Sequence, residues 1–159
     1  MAKFTFNNEM AGTQQAISTS YKTLGSVTAL TATLCRGRVF ELMFGTAGTP
    51  ADNSYVFDMS RQTAAGTATA ATEVPLDPAD GSPTISRSDC FVNYTGEGTI
   101  TAASSVFMLP INQRASYRWI ASPGGELYWP ATNVAGFAFR AKSAAGTAIA
   151  GMTMYYEDL

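Results

Sequence analysis

The chain has 159 residues, of which 46% are hydrophobic, 11% aromatic and 14% charged, with a net charge of −2. That length fits one domain with a substantial core, and the aromatic content excludes an intrinsically disordered chain. Lys and Arg are scattered and no run of 18 apolar residues occurs, so neither nucleic acid nor membrane is an expected partner.

Charge falls well below the roughly 25% of an ordinary soluble domain, and Ala, Thr, Ser and Gly take its place. Such a surface repels neighbours weakly, which suits a protein packed against other subunits. An all-β domain with a Thr/Ser-rich exterior has the same composition, and both readings stand at this point.

Residues 1–20 are polar and turn-rich, with Phe4 and Phe6 alternating with Lys3, Thr5 and Asn7. They read as an N-terminal arm or edge strand preceding a single β-sandwich domain over 21–159. On an arm, Phe4 and Phe6 would anchor a neighbouring subunit; in a strand they would tuck into this chain's own sheet. "MAKFTFNNEMAG" has no apolar leader core, so no secretory signal is expected. Synthesis inside a cell then leaves Cys35 and Cys90 reduced and buried, with a disulfide between them as the lesser alternative.

From Tyr21 onward the pattern is that of strands. "YKTLGSVTAL" shifts phase at Gly25, which predicts a bulge. "RVFELMF" sets Phe40, Leu42 and Phe44 against Val39, Glu41 and Met43. "SYVFDMS" sets Tyr55, Phe57 and Met59 against Val56, Asp58 and Ser60. "SSVFMLP" is a continuous apolar run, as in a strand buried on both faces. "SYRWIA", "GFAFRA" and "GMTMYYE" each alternate with period two. The sole helical signal is one short turn in "PLDPADGS". The repeated "AAGTA" at residues 64–68 and 144–148 predicts turns with Gly66 and Gly146 at positive φ. Residues 70–89 form a long irregular excursion of the kind that carries contacts.

About eight strands and almost no helix predict an all-β fold: a two-sheet antiparallel β-sandwich of jelly-roll type. An open eight-stranded barrel around a ligand is the alternative.

Catalytic chemistry has few materials. There is no histidine, which removes Ser-His-Asp and Cys-His triads and imidazole metal sites. "GTAGTP" at residues 45–50 is followed by Asp52 and a strand, not by a helix N-terminus and a Lys. It reads as a strand connection and not as a phosphate cradle. Asp77 and Asp80 could serve hydrolysis or calcium binding but suit turn and cap duty better. "ELYWP" places Tyr128 and Trp129 on opposite faces of one strand, so one of them can be a sugar platform or a subunit contact. No enzyme activity, cofactor or metal is expected.

The stretch from Gly37 to Asp80, with its "GTPADN" loop, an aromatic strand carrying Arg61, then "AAGTA" and "LDPAD", resembles virion structural proteins of tailed bacteriophages. The likeness covers about a quarter of the chain. It implies a jelly-roll capsid decoration (cement) protein on the outside of the phage head. The partners implied are the major capsid protein and sister copies, with a homotrimer favoured over a dimer. The place implied is the virion surface after synthesis in the host cytoplasm. Phe4, Phe6, Tyr128 and Trp129 are the candidate interface residues. A carbohydrate- or receptor-binding module of a phage tail, using Trp119 or Trp129, is the alternative; a hydrolase built on Asp77 and Asp80 is a weaker one.

Overall fold

The computed structural model describes residues 2–9, 15–30, 32–49, 51–80 and 86–159. Over these the chain forms β1 (Lys3–Asn7), β2 (Gln15–Ile17), β3 (Lys22–Ala29), β4 (Gly37–Ala47), β5 (Ser54–Ala64), β6 (Thr67–Ala70) and β7 (Val74–Pro75). A single 3₁₀ turn at Pro78–Asp80 precedes β8 (Ser88–Gly96), β9 (Thr99–Asn112), β10 (Ser116–Ile120), β11 (Leu127–Trp129), β12 (Gly136–Ser143) and β13 (Ala148–Asp158). That makes thirteen strands among the described residues against about eight expected. The strands without an expected counterpart are β2, β6 and β7, none longer than four residues, and the nine-residue β8.

All pairings are antiparallel and make two sheets. Sheet I runs β10-β4-β13-β1-β7, with β11 on β4 and β2 on β13; sheet II runs β6-β8-β3-β12-β5-β9. The chain changes sheet eight times among the described strands, after β2, β3, β4, β6, β7, β9, β11 and β12. An apolar side chain facing inward from either sheet therefore meets the other. Phe44 of sheet I touches Phe57 at 4.7 Å and Phe139 at 5.0 Å, both of sheet II. Tyr55, Phe57, Met59, Phe137, Phe139, Met154 and Tyr156 are fully buried and Met152 nearly so, on the faces their alternation predicts. Each such large side chain contributes about 1.5–3 kcal/mol of burial.

Bulges in β3 and β4 adjust the phase of their strands. In β3, Phe139 faces Gly25 but Arg140 faces Thr23, so Leu24 is the extra residue. The bulge expected at Gly25 is present, and a Cβ there would sit 2.4 Å from the Met152 methyl. In β4, Tyr155 faces Glu41 and Tyr156 faces Val39, leaving Phe40 unpaired. This corrects the simple alternation of "RVFELMF": Val39, Leu42 and Phe44 are buried, while half-buried Phe40 packs against Tyr155 at 6.3 Å.

One open alternative is resolved and one expectation is corrected. The N-terminal segment is no free arm. Phe4 and Phe6 are 0% exposed because β1 lies between β13 and β7, with Phe4 opposite Tyr156 and Phe6 opposite Met154. Asn8, buried beyond β1, donates from Nδ2 to Ala150 O at 2.8 Å and accepts from Met152 N at 2.9 Å. "SSVFMLP" is not a doubly buried strand. It lies in β9, an edge of sheet II paired only with β5, so Phe107, Leu109 and Ile111 pack on the core while Val106 and Met108 face outward.

The loop after β4 is a strand connection, as its sequence predicts. Buried Gln113, in the turn between β9 and β10, accepts from Ala51 N at 3.1 Å and donates to Thr49 O at 3.5 Å. Pro50 lies outside the described residues. Gly66 and Gly146 adopt φ of 75° and 77°.

Candidate functional site: the β9–β10 flank

The predicted site residues separate. Trp129 is 1% exposed, packed 6.0 Å from the Tyr156 ring and over Gly37, where a Cβ would lie 2.0 Å from the indole. It serves as core and cannot act as a surface platform. Phe4 and Phe6 are likewise inside the sandwich, because pairing with β13 turns both rings inward. Tyr128, half-buried on the other face of β11, is the meeting point of three arginines. Arg36 lies over its ring at 4.7 Å, Arg38 donates to its hydroxyl at 3.3 Å, and Arg61 donates to its carbonyl at 3.2 Å. Arg38 also bonds Glu126 at 3.0 Å and Glu157 at 2.7 Å, so much of this charge is balanced internally. Arg61 reaches from β5 of sheet II to β11 of sheet I and ties the two sheets together.

Asp77 accepts from Ala79 N at 2.8 Å, the capping duty its sequence suggests; the Asp80 side chain lies outside the described residues. Cys35 and Cys90 are free and buried. Burial pushes the Cys90 thiol well up, with the Glu73 carboxylate adding to the effect. Glu73 is itself half-buried beside Cys90, and desolvation lifts its carboxyl from 4.5 to about 7. No group of three or more Cys, Asp or Glu among the described residues is arranged to hold a metal ion.

Sequence reasoning misses the burial of two paired carboxylates, Glu157 beside Arg38 and Asp58 beside Arg140. Asp58 is 2% exposed on the outer face of sheet II. It accepts from Arg140 Nε at 2.9 Å, Ser60 Oγ at 2.7 Å and Ser105 Oγ at 2.5 Å, and Arg140 stacks under Tyr21 at 4.4 Å. Strand alternation puts Asp58 on a nominally polar face; only the approach of β12 and β9 makes that face dry. The arrangement holds a charge pair still.

Five of the nine large exposed apolar side chains among the described residues lie near one another elsewhere. Met108 is 64% exposed, Ile120 57%, Tyr117 43%, Met43 42% and Val106 38%. All five lie on β4, β9 and β10 around the flank where β9 and β10 come together: Val106 and Met108 on the outer face of sheet II, Met43 and Ile120 on the outer face of sheet I, and Tyr117 at the edge between them. The edges are held by Phe107 of sheet II, which packs against Trp119 at 6.0 Å and Phe44 at 5.9 Å, both of sheet I. Around the corner, on the outer face of sheet I, Gly45 pairs with Gly151. The missing side chains leave a shallow groove of about 500 Å³ bordered by Asn7, Met43, Tyr117, Arg118 and Thr153.

These features define an antiparallel two-sheet β-sandwich whose greatest concentration of exposed apolar side chains lies along one flank. The chain matches no protein-family model and no curated protein sequence.

Proposed function

We propose that this chain is a non-enzymatic virion structural protein: a decoration or cement protein that binds the outer surface of a phage head. It acts by adhesion to the major capsid protein and to copies of itself. The observation that carries the reading is the flank of Met43, Val106, Met108, Tyr117 and Ile120. Apolar surface of this kind contributes about 25 cal/mol per Å² on burial, before the cost of association, and modest contacts repeated around a shell add by avidity.

Strand order gives further support. With β6, β7 and β8 set aside as an insertion, and the three-residue β2 and β11 as side pieces on β13 and β4, the sheets reduce to β1-β13-β4-β10 and β3-β12-β5-β9. This eight-strand order supports the jelly-roll reading. The resemblance in the Gly37–Asp80 segment, which includes Arg61, favours the phage virion as the setting, with threefold clustering of copies as its implied arrangement.

The test is co-sedimentation of purified protein with phage heads stripped of decoration. Wild type should travel with the heads, and Met108→Glu, on the outward side of β9, should lose at least tenfold in affinity while keeping its melting temperature. No binding by wild type, or equal binding by the variant, overturns the proposal. A second reading, glycan binding by a tail-associated module, draws on the groove beside Tyr117 and Arg118. Glycan-array binding abolished by Tyr117→Ala would favour it.

A further inference from the structure

Six strands among the described residues have a partner on one side only, and apart from β10 they are poor templates for another strand; β2 and β11 are three residues long. β7 is two residues long and contains Pro75, and β6 is four residues long. β9 is interrupted by three register shifts, with Ala103 at φ 54°, and carries Pro110. Gln113 N donates to Asn53 O at 2.9 Å, and the register places Pro110 opposite Val56. By alternation Pro110 is then at a non-hydrogen-bonded position, so an N–H there would have pointed away from the sheet. Proline at such a place is a common guard against edge pairing.

β10 has no such guard. Ala121 N donates to Phe40 O at 2.9 Å, and the ladder against β4 is regular from Ser116 to Ile120. Trp119 and Tyr117 therefore exchange bonds with β4, while the N–H and C=O of Ser116, Arg118 and Ile120 point outward. Beyond β10, along the same edge, β11 is already stapled at the Tyr128 carbonyl by Arg61.

We propose that β10 pairs antiparallel with β10 of a second copy about a twofold axis at Arg118, joining the two copies of sheet I into one continuous sheet. The sequence is self-complementary in this register. Hydrogen-bonding residues must face hydrogen-bonding residues, so Arg118 faces its own copy and Ser116 faces Ile120. The intervening pairs set Tyr117 opposite Trp119 of the second copy, twice, at the closer non-hydrogen-bonded spacing. This gives Tyr117 a role: it packs toward the core yet stays 43% exposed because no strand lies beyond it. Like charge on the axis is offset because each Arg118 Nε is held by Glu41 of its own chain at 2.6 Å. The contact is isologous, so it closes as a dimer; threefold clusters would need a different, heterologous surface.

The inference uses the same flank as the proposed capsid contact but not the capsid reading, so it is tested without heads. Sedimentation equilibrium of the purified protein up to about 1 mM should show a dimer. Arg118→Pro removes an outward N–H, as native Pro110 does on β9, and should yield a folded monomer. Arg118→Cys places two thiols on the axis with Cα atoms about 5.5 Å apart and should give a disulfide-linked dimer on mild oxidation. Ser116→Cys, offset from the axis, should not. A wild type that stays monomeric, an oligomer untouched by Arg118→Pro, or an Arg118→Cys protein that fails to cross-link overturns the proposal.

Discussion

Glu73 offers the sharpest test of the packing around β8. Its carboxyl is lifted from 4.5 to about 7, first by burial, then by the charges of Asp89 and Asp158, against the lowering effect of its bonds to Cys90. A folded-state value above the unfolded one means that the folded protein holds this proton more tightly. The stabilisation is fully present below about 4.5 and is lost as the pH rises through about 7. At about 1.4 kcal/mol for each tenfold change in proton affinity, the rise corresponds to an upper bound of about 3.4 kcal/mol. Glu73 is only half-buried, and solvent screening brings the expected effect to about 1–2 kcal/mol. Urea denaturation of wild type and Glu73→Gln at about pH 5 and about pH 8.5 reads it directly. Wild type should lose about 1–2 kcal/mol more than the variant between the two, and the variant should be the more stable at the higher pH. Equal pH dependence in the two proteins would refute the reasoning, and so would a carbon-NMR titration of Glu73 with a midpoint near its ordinary value.

Three further outcomes follow from the structure. Gly136→Ala brings a Cβ within 1.9 Å of the Val27 carbonyl oxygen, a backbone atom, whereas Gly37→Ala meets only the Trp129 ring. Both should destabilise, by about 1–3 kcal/mol for Gly37→Ala and by more for Gly136→Ala, as measured by denaturant midpoint. Asp58→Ala strands Arg140, whose side chain is 17% exposed; the loss should be about 3 kcal/mol, the low end for a buried pair, and Asp58→Ala with Arg140→Met should recover part of it in a double-mutant cycle. Phe4→Ala should cost about 3–5 kcal/mol in thermal or chemical denaturation; a change below about 0.5 kcal/mol would return Phe4 to the free arm.

Much of the sandwich is legible in the sequence because inward aromatic and methionine side chains alternate cleanly through β5, β12 and β13, and no polar neighbour breaks the period. Gly25 announces its bulge. Phe40 does not, because "RVFELMF" reads as unbroken alternation and only the register against Tyr155 and Tyr156 reveals the extra residue. An apolar run such as "SSVFMLP" suits a central strand or an edge strand equally well; the number of neighbours decides, and a sequence window does not contain it. Pro110 is the local clue to the edge. β8 carries its own alternation at Cys90 and Val92 but begins within a stretch rich in turn formers, which hides its start. At the candidate surface, Tyr128 and Trp129 are resolvable only as a pair on opposite faces. The exposure of Met108 and Ile120 arises because their strands end the sheets, and the meeting of Asp58 with Arg140 spans 82 residues.

The place of β13 in sheet I bears on how the protein is made. Its neighbours are β1 and β4, and Phe4 finds Tyr156 only across nearly the whole chain. Until the ribosome has delivered that strand, β1 and β4 have a gap between them, and the aromatic faces of the earlier strands stay wet. Assembly of the first sheet must therefore wait until β13 has left the ribosome. A nascent chain stalled before Ala148 would present unpaired, sticky strands to chaperones and to its own kind.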